Sequence, residues 1–294
     1  MRYAWIKQHR DSFPIRTMCR VLDVSTSGFY DWLEAKPSQR ALRSKSIKAH
    51  VLDVYKSSQG IYGSAKIAQE MRNSPERETA CRNTVAKAMK EMGLKSCVSK
   101  QFRPTTTVAD PSRQAATNVL NQEFKADGPN RKWVADITYL PTLTGWVYLA
   151  VVLDLYSRKV VGWAISNSLE TKVITDALRQ AIERRRPATN KLLHHSDRGC
   201  QYTSEAFQGL LKTMQITCSM SRTGCCYDNA VAERFFWSLK HEWTNNRTYR
   251  DLDEAKRSVF KYIELFYNPI RLHQTLNYLS PEEFERKNIT QKTA

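Results

Sequence analysis

WVADITYL, residues 133–140, opens the stretch whose reading decides the fold. β-Branched and aromatic residues alternate around Asp136. An apolar run from Trp146 to Leu153 follows Thr144-Gly145, so the two segments read as a β-hairpin. Asp136 is then an inner-strand carboxylate among apolar neighbours, a costly position for a charge with no cation beside it. Working outward, strands are expected near 132–140, 146–155 and 158–166, then a helix from about 170 to 185. Lys191 to Ser196 reads as a short strand that delivers Asp197, and open α/β sheets favour ligands at the carboxyl ends of strands. A helix over 203–213 and a strand over 216–220 come next. A further helix opens near Asp228-Asn229, with Asp228 as its N-cap, and carries Glu233. Three hairpin-like strands followed by alternating helices and strands imply an α/β fold: a mixed sheet with helices on both faces.

Asp136 and Asp197 are separated by 60 residues, and Asp197 and Glu233 by 35. Two strand carboxylates and one helical carboxylate are a suitable set for a pair of hard divalent cations. Oxygen ligands suit magnesium, which keeps waters and shares phosphate oxygens. Two such ions can activate an attacking oxygen and stabilise the leaving one in an in-line phosphoryl displacement. Residues 236, 237 and 240 share a helical face with Glu233, and Lys240, about 10 Å further along the axis, is placed to meet a DNA phosphate. Asp154 is expected to be structural, and His194 and His195 to be packed or hydrogen-bonded in the strand.

Five blocks now carry a resemblance: WVADITYL (133–140), VYLAVVLDLYSRKVVGW (147–163), HHSDRGCQY (194–202), SRTGCCYDNAVAERFFWSLK (221–240) and YNPIRLHQTLNYLSPEEF (267–284). In order and spacing the chain resembles the DDE transposases of the bacterial insertion sequence 3 family, the OrfB-type product, which are similar to retroviral integrases. The resemblance implies an RNase H-like catalytic core. It makes Asp136, Asp197 and Glu233 both the catalytic triad and the ligands of two Mg²⁺ ions, with Mn²⁺ able to substitute. It also makes Lys240 a DNA contact. The implied enzyme is a polynucleotidyl transferase that cuts element ends and joins a 3′-hydroxyl to target DNA. The alternatives are an RNase H-like nuclease without strand transfer and a DNA-binding regulator with an inactive core. The implied partners are terminal inverted repeats and target DNA, a second copy of the chain at least, and an upstream-frame protein or fusion. The implied location is the bacterial cytoplasm, on the nucleoid when DNA is bound. Cys200, Cys225 and Cys226 border the site.

The whole chain agrees with a nucleic-acid partner. Lys and Arg number 46 against 29 Asp and Glu, a net charge of +17. Residues 1–125 hold 22 basic and 11 acidic residues, so the excess is concentrated there. Seven scattered cysteines with no C-x-x-C argue against a disulfide framework or zinc cluster. The charged start lacks a secretory signal's apolar core, and no apolar run approaches a membrane span.

Five segments are expected. Residues 1–45 are a helix-turn-helix-like segment, with Ser12 capping a helix that begins at Pro14 and Ser25 capping a second whose aromatics, Phe29, Tyr30 and Trp32, are core. Pro37 and Ser38 to Lys45 read as linker. Residues 46–98 are a second helical, DNA-binding unit with helices near 46–57, 64–72 and 80–92. Thr79 caps the last of these, Gly93 ends it, and Arg82, Asn83, Lys87 and Lys90 decorate it as DNA-contacting residues. Residues 99–124 are a linker, 125–242 the core, and 243–294 a helical extension. In that extension Asp251 and Ser280 cap helices, and Arg271 and His273 have no assignable chemistry.

Overall fold

The computed structural model describes residues 1–34, 38–97, 116–222 and 226–290. The chain forms two compact units, one of residues 1–59 with 63–94, the other of 60–62 with 95–294.

The first unit is helical. Helices α1 (Arg2–Gln8), α2 (Ile15–Val21) and α3 (Thr26–Glu34) close on Ile6, Met18, Cys19 and Phe29. Ser25 caps α3 as expected, its hydroxyl accepting from the Gly28 N–H at 3.2 Å. Ser12 does not cap α2: Pro14 holds that position and no side chain caps it. Tyr30 and Trp32 also depart from the reading, for only Phe29 points inward while they are 47% and 41% exposed. Helices α4 (Gln39–Ser57), α5 (Ser64–Asn73) and α6 (Arg82–Glu91) bury Val51, Ile67, Met71 and Val85.

The expected linker at 38–45 is instead the first two turns of α4, opened by Ser38, whose hydroxyl accepts from the Ala41 N–H. Polar residues hid a helix with only one buried stripe; Pro37 lies outside the described residues. Cys81, rather than Thr79, occupies the N-cap of α6, and Gly93 at φ +68° follows its end.

The second unit is built on a five-stranded sheet in the order β3-β2-β1-β4-β5. Its strands are β1 (Lys132–Thr142), β2 (Gly145–Asp154), β3 (Val160–Ser166), β4 (Leu193–Ser196) and β5 (Thr217–Met220). β1, β2 and β3 pair antiparallel; β4 joins β1, and β5 joins β4, in parallel. This mixed sheet is the RNase H-like arrangement that the resemblance implied. One face carries α7 (Thr171–Arg185) and α8 (Glu205–Thr213) over a core that includes Trp133, Val152, Val161, Leu178 and Phe207. Gly162 in β3 allows α7 to approach: a Cβ there would lie 2.2 Å from the Ala177 carbonyl oxygen, which no packed structure tolerates. Helix α9 (Ala230–Leu239) packs on β1, and α10 (Leu252–Phe260) on β1 and β3.

Both α9 and α10 run on as π-helical segments, Lys240–Thr244 and Lys261–Tyr267. The expected helix over 251–267 is thus capped by Asp251 as anticipated, but widens before Asn268. Helix α11 (Pro281–Thr290) is opened by Ser280, whose hydroxyl accepts from the Glu283 N–H. The expected linker at 99–124 lies outside the described residues up to 115. Its remainder is docked rather than loose. Leu120 is 1% exposed, and the Val119 and Leu120 N–H groups donate to Ser219 Oγ on β5. Among the described residues no helix is long and apolar enough to cross a membrane, and Cys19, Cys81, Cys97, Cys200 and Cys218 are in no disulfide.

Candidate functional site

Parallel pairing of β1 with β4 runs from Lys132↔Leu193 to Val134↔His195. Carried two positions past the last paired residues, that register runs to Asp136 and Asp197, and the Asp197 charge acts on the Asp136 carboxyl. His195 anchors this end of β4: its Nδ1 meets Ser219 Oγ at 2.9 Å and its Nε2 meets Ser221 Oγ at 3.2 Å, both on or just past β5. Burial holds the His195 imidazole at a pKa of about 4, so at neutral pH it is an uncharged strut. His194 faces Phe207 and Tyr202 and falls to about 3 for the same reason. Both histidines are packed, as expected of strand residues.

Asp197 turns back on its own loop, accepting from the Gly199 N–H at 2.9 Å. Burial raises its carboxyl, and that hydrogen bond works against the rise. Asp136 accepts from the Ile137 N–H at 2.8 Å. Its carboxyl is held well above the usual range, first by burial and next by the Asp197 charge; Glu233 adds to the rise, while the Ile137 N–H and the Lys240 ammonium oppose it. Glu233 stands exposed in the first turn of α9, and its own carboxyl is raised by partial burial.

The sequence gives a local reason for the placement of α9. Asn229, at its N-cap position, donates from Nδ2 to the carbonyl of Ala135 at 3.2 Å, the residue before Asp136. One helical turn later comes Glu233. Asp228 is not the cap. It is fully buried ahead of the helix, accepting from Asn118 Nδ2 (2.8 Å), Gln122 Nε2 (2.9 Å) and the Arg222 N–H (2.9 Å). It fastens the segment before the core to the loop after β5, a role invisible without tertiary contacts. Residues 223–225, with Gly224 and Cys225, lie outside the described residues.

Lys240 closes the group. Its Nζ lies 4.8 Å from the Tyr139 ring centroid, and burial lowers its pKa while the Asp136 charge counters that. The structure therefore gathers Asp136, Asp197, Glu233 and Lys240. Among the described residues, no group of three or more His, Cys, Asp or Glu side chains is arranged to hold a metal ion as it stands.

Arg82, Asn83, Lys87 and Lys90 belong to the other unit, where all four are exposed on α6 while Val85, Ala88 and Met89 face its core.

Two residues without assigned chemistry acquire roles here. Arg271 is buried and grips Glu242 by two bonds, Nε to Oε2 at 2.6 Å and Nη2 to Oε1 at 2.5 Å. It also donates to Ser238 Oγ at 3.2 Å and lies 3.3 Å from His273 Nε2. Glu242 follows Lys240 by two positions, so this ion pair braces the helix that carries Glu233 and Lys240. Asn229 was legible only as a helix-start residue, and Arg271 carried no local signal at all.

Comparison with known proteins adds the family. The Integrase core domain family matches residues 126–226, a second Integrase core domain family 214–281, and an HTH-like domain 42–102. The chain is 40% identical over 291 residues to the transposase InsF for insertion sequence IS3A of Escherichia coli strain K12, spanning 98% of this chain and 100% of that protein. It is 35% identical over 270 residues to a 31 kDa protein of insertion element IS600 from Shigella sonnei, spanning 92% and 98%. A solved HTLV-2 integrase catalytic core domain in complex with magnesium is similar at 18% identity and a TM-score of 0.41, covering 54% of this chain and 98% of that one. With its sheet, its helical N-terminal unit and these relatives in agreement, the chain belongs to the IS3 family of transposases.

Proposed function

We propose that this transposase cleaves the ends of its insertion element and joins the freed 3′-hydroxyl to target DNA by metal-dependent DDE chemistry. The observation that carries the reading is the meeting of Asp136 and Asp197 through the β1–β4 register, with Glu233 and Lys240 close enough to act on the Asp136 carboxyl. Three carboxylates whose pKa values all rise on folding are a donor set short of positive charge, which is the chemistry a hard divalent cation answers. Asp136 and Asp197 would hold it from the sheet and Glu233 from α9. Two bound Mg²⁺ ions would supply activation of the attacking oxygen and stabilisation of the leaving one.

The protein's own side chains do the rest. Asn229 and Asp228 hold the start of α9, one turn before Glu233, whose charge acts on the Asp136 carboxyl. The Glu242–Arg271 pair braces the following turn, and Lys240 offers its ammonium to a phosphate of the DNA backbone. Arg82, Asn83, Lys87 and Lys90 on α6 provide further backbone or base contacts, which makes binding steeply salt-dependent. Bringing two DNA ends together calls for at least two copies of the chain, and an upstream-frame protein or fusion belongs to the same reading. The site of action is the cytoplasm, on the nucleoid.

The test is strand transfer from a pre-cleaved end, run with Mg²⁺ and with chelator. Joined product with Mg²⁺ and none with chelator is expected. Cut product without a new phosphodiester would leave a plain nuclease, and DNA binding without either would leave a regulator.

A further inference from the structure

The tip of the β1–β2 hairpin presents two large apolar side chains to solvent, Leu143 at 73% exposure and Trp146 at 54%. Apolar residues in a loose loop would fold back on themselves, but this tip is held. Thr142 Oγ1 donates to the Gly145 carbonyl at 2.7 Å, with Gly145 at φ +125°, a conformation that β-carbon-bearing residues avoid. The Leu143 N–H donates to the Tyr249 carbonyl at 2.8 Å, and Thr142 bridges Tyr249, which is itself only 3% exposed. The exposure is thus built into a braced turn.

The tip also leads to the acidic centre. Trp146 meets Tyr139 edge to face at 4.9 Å, and the Lys240 ammonium sits over the same Tyr139 ring. The segment that meets the tip through Tyr249 also carries exposed Arg247, whose guanidinium lies 3.7 Å over the Trp243 ring, and exposed Arg250, which pairs with Glu254 at 3.2 Å. A rigid apolar point flanked by cations, one of them beside Asp136, is complementary to nucleic acid: cations for phosphates, an indole and an isobutyl group for a base step. Apolar side chains that wedge between bases, and aromatic rings that stack on unpaired ones, are established ways of opening a duplex.

We propose that Leu143 and Trp146 form a wedge that unstacks the terminal base step of the DNA being processed, with Trp146 stacking on the released base while Lys240 holds the adjoining phosphate. The proposal rests on the DNA-joining reading and adds how the end is opened for it. The Trp146–Tyr139–Lys240 row then couples base opening to the carboxylate centre.

The experiment uses the full chain and a short duplex bearing the terminal repeat of its own element, pre-cleaved, with 2-aminopurine at the terminal positions. Binding of the wild-type protein is expected to change the fluorescence of a terminal base. Trp146→Ala is expected to abolish that change and to lower joining about tenfold or more. Trp146→Phe should keep most of both, Leu143→Ala should weaken both, and duplex affinity should fall little because the basic contacts persist. Melting temperature and sedimentation are read for each variant. A terminal base whose fluorescence responds equally to wild type and Trp146→Ala overturns the proposal. So does a Trp146→Ala protein that falls from dimer to monomer with the base response intact, which would make the tip a contact between copies. Because fluorescence is read on bound DNA without turnover, a wild-type protein that perturbs the base yet joins nothing would refute the strand-transfer reading alone.

Discussion

Asp136 and Asp154 lie on neighbouring strands of one hairpin, and burial raises the pKa of both. Their surroundings differ in kind. Asp154 is 0% exposed and accepts from the Asn130 N–H (2.7 Å), the Tyr156 N–H (3.0 Å) and Arg185 Nη2 (3.3 Å). Arg185 in turn holds Glu285 on α11 through Nη1 (2.9 Å) and Nη2 (2.7 Å), and Ser157 donates to the same carboxylate. Asp136 has the Ile137 N–H and the opposing Lys240 ammonium, and otherwise meets charges of its own sign. A buried carboxylate supplied with donors is a fastener between the core and the C-terminal helix. One surrounded by other carboxylates is unstable alone, a strain that the proposed cation would relieve. The difference teaches that burial alone marks neither role; the partners do.

Removing one charged side chain from each group should break the comparison most sharply. Asp197→Ala is expected to reduce cleavage and joining to background while leaving the fold and DNA binding intact, measured by product gels beside a binding titration. Retained joining would remove Asp197 from the centre. The opposite pattern is expected of Arg185→Ala, which strands Asp154 and Glu285 inside the protein. Losing one partner of such a buried group costs about 3–5 kcal/mol, read as a fall in the denaturation midpoint, whereas activity per folded molecule should survive.

A smaller effect sharpens the contrast further. In chelator, Asp136→Asn should raise the melting temperature by a few degrees at neutral pH. The sign follows from the raised carboxyl: the folded state holds the proton more tightly than the unfolded chain. Stability is therefore greatest below the unfolded carboxylate pKa of about 4 and is lost as pH rises through the higher folded value. The asparagine variant should lack that decline, and added Mg²⁺ should stabilise the wild type but not the variant. A variant less stable than wild type in chelator would mean that Asp136 is a fastener like Asp154.

Much of this could be read from residues in order. Alternating β-formers around Asp136, the Thr144-Gly145 turn and the apolar run after it specify the hairpin, because strand patterning and turn chemistry are local. Ser25, Asp251 and Ser280 were legible as caps for the same reason. Where the reading failed, a local signal had a non-local competitor. Asp228 has a cap's chemistry, but Asn118, Gln122 and Arg222 claim its oxygens first. Ser38 to Lys45 has a linker's polarity, yet forms helix because one side of it needs to bury little. Tyr30 and Trp32 have a core's composition but sit on the outer side of α3.

What the sequence by itself determined was the strands and helices and which carboxylates each of them bears, since periodicity and motif spacing are properties of the chain. What only the tertiary structure decided was the company each charge keeps. Asp197 reaches Asp136 through strand register, α9 is tied to Ala135 by Asn229, and Arg271 finds Glu242 across 29 residues. Electrostatic energy depends on distance in space and on burial, and neither is a function of position along the chain.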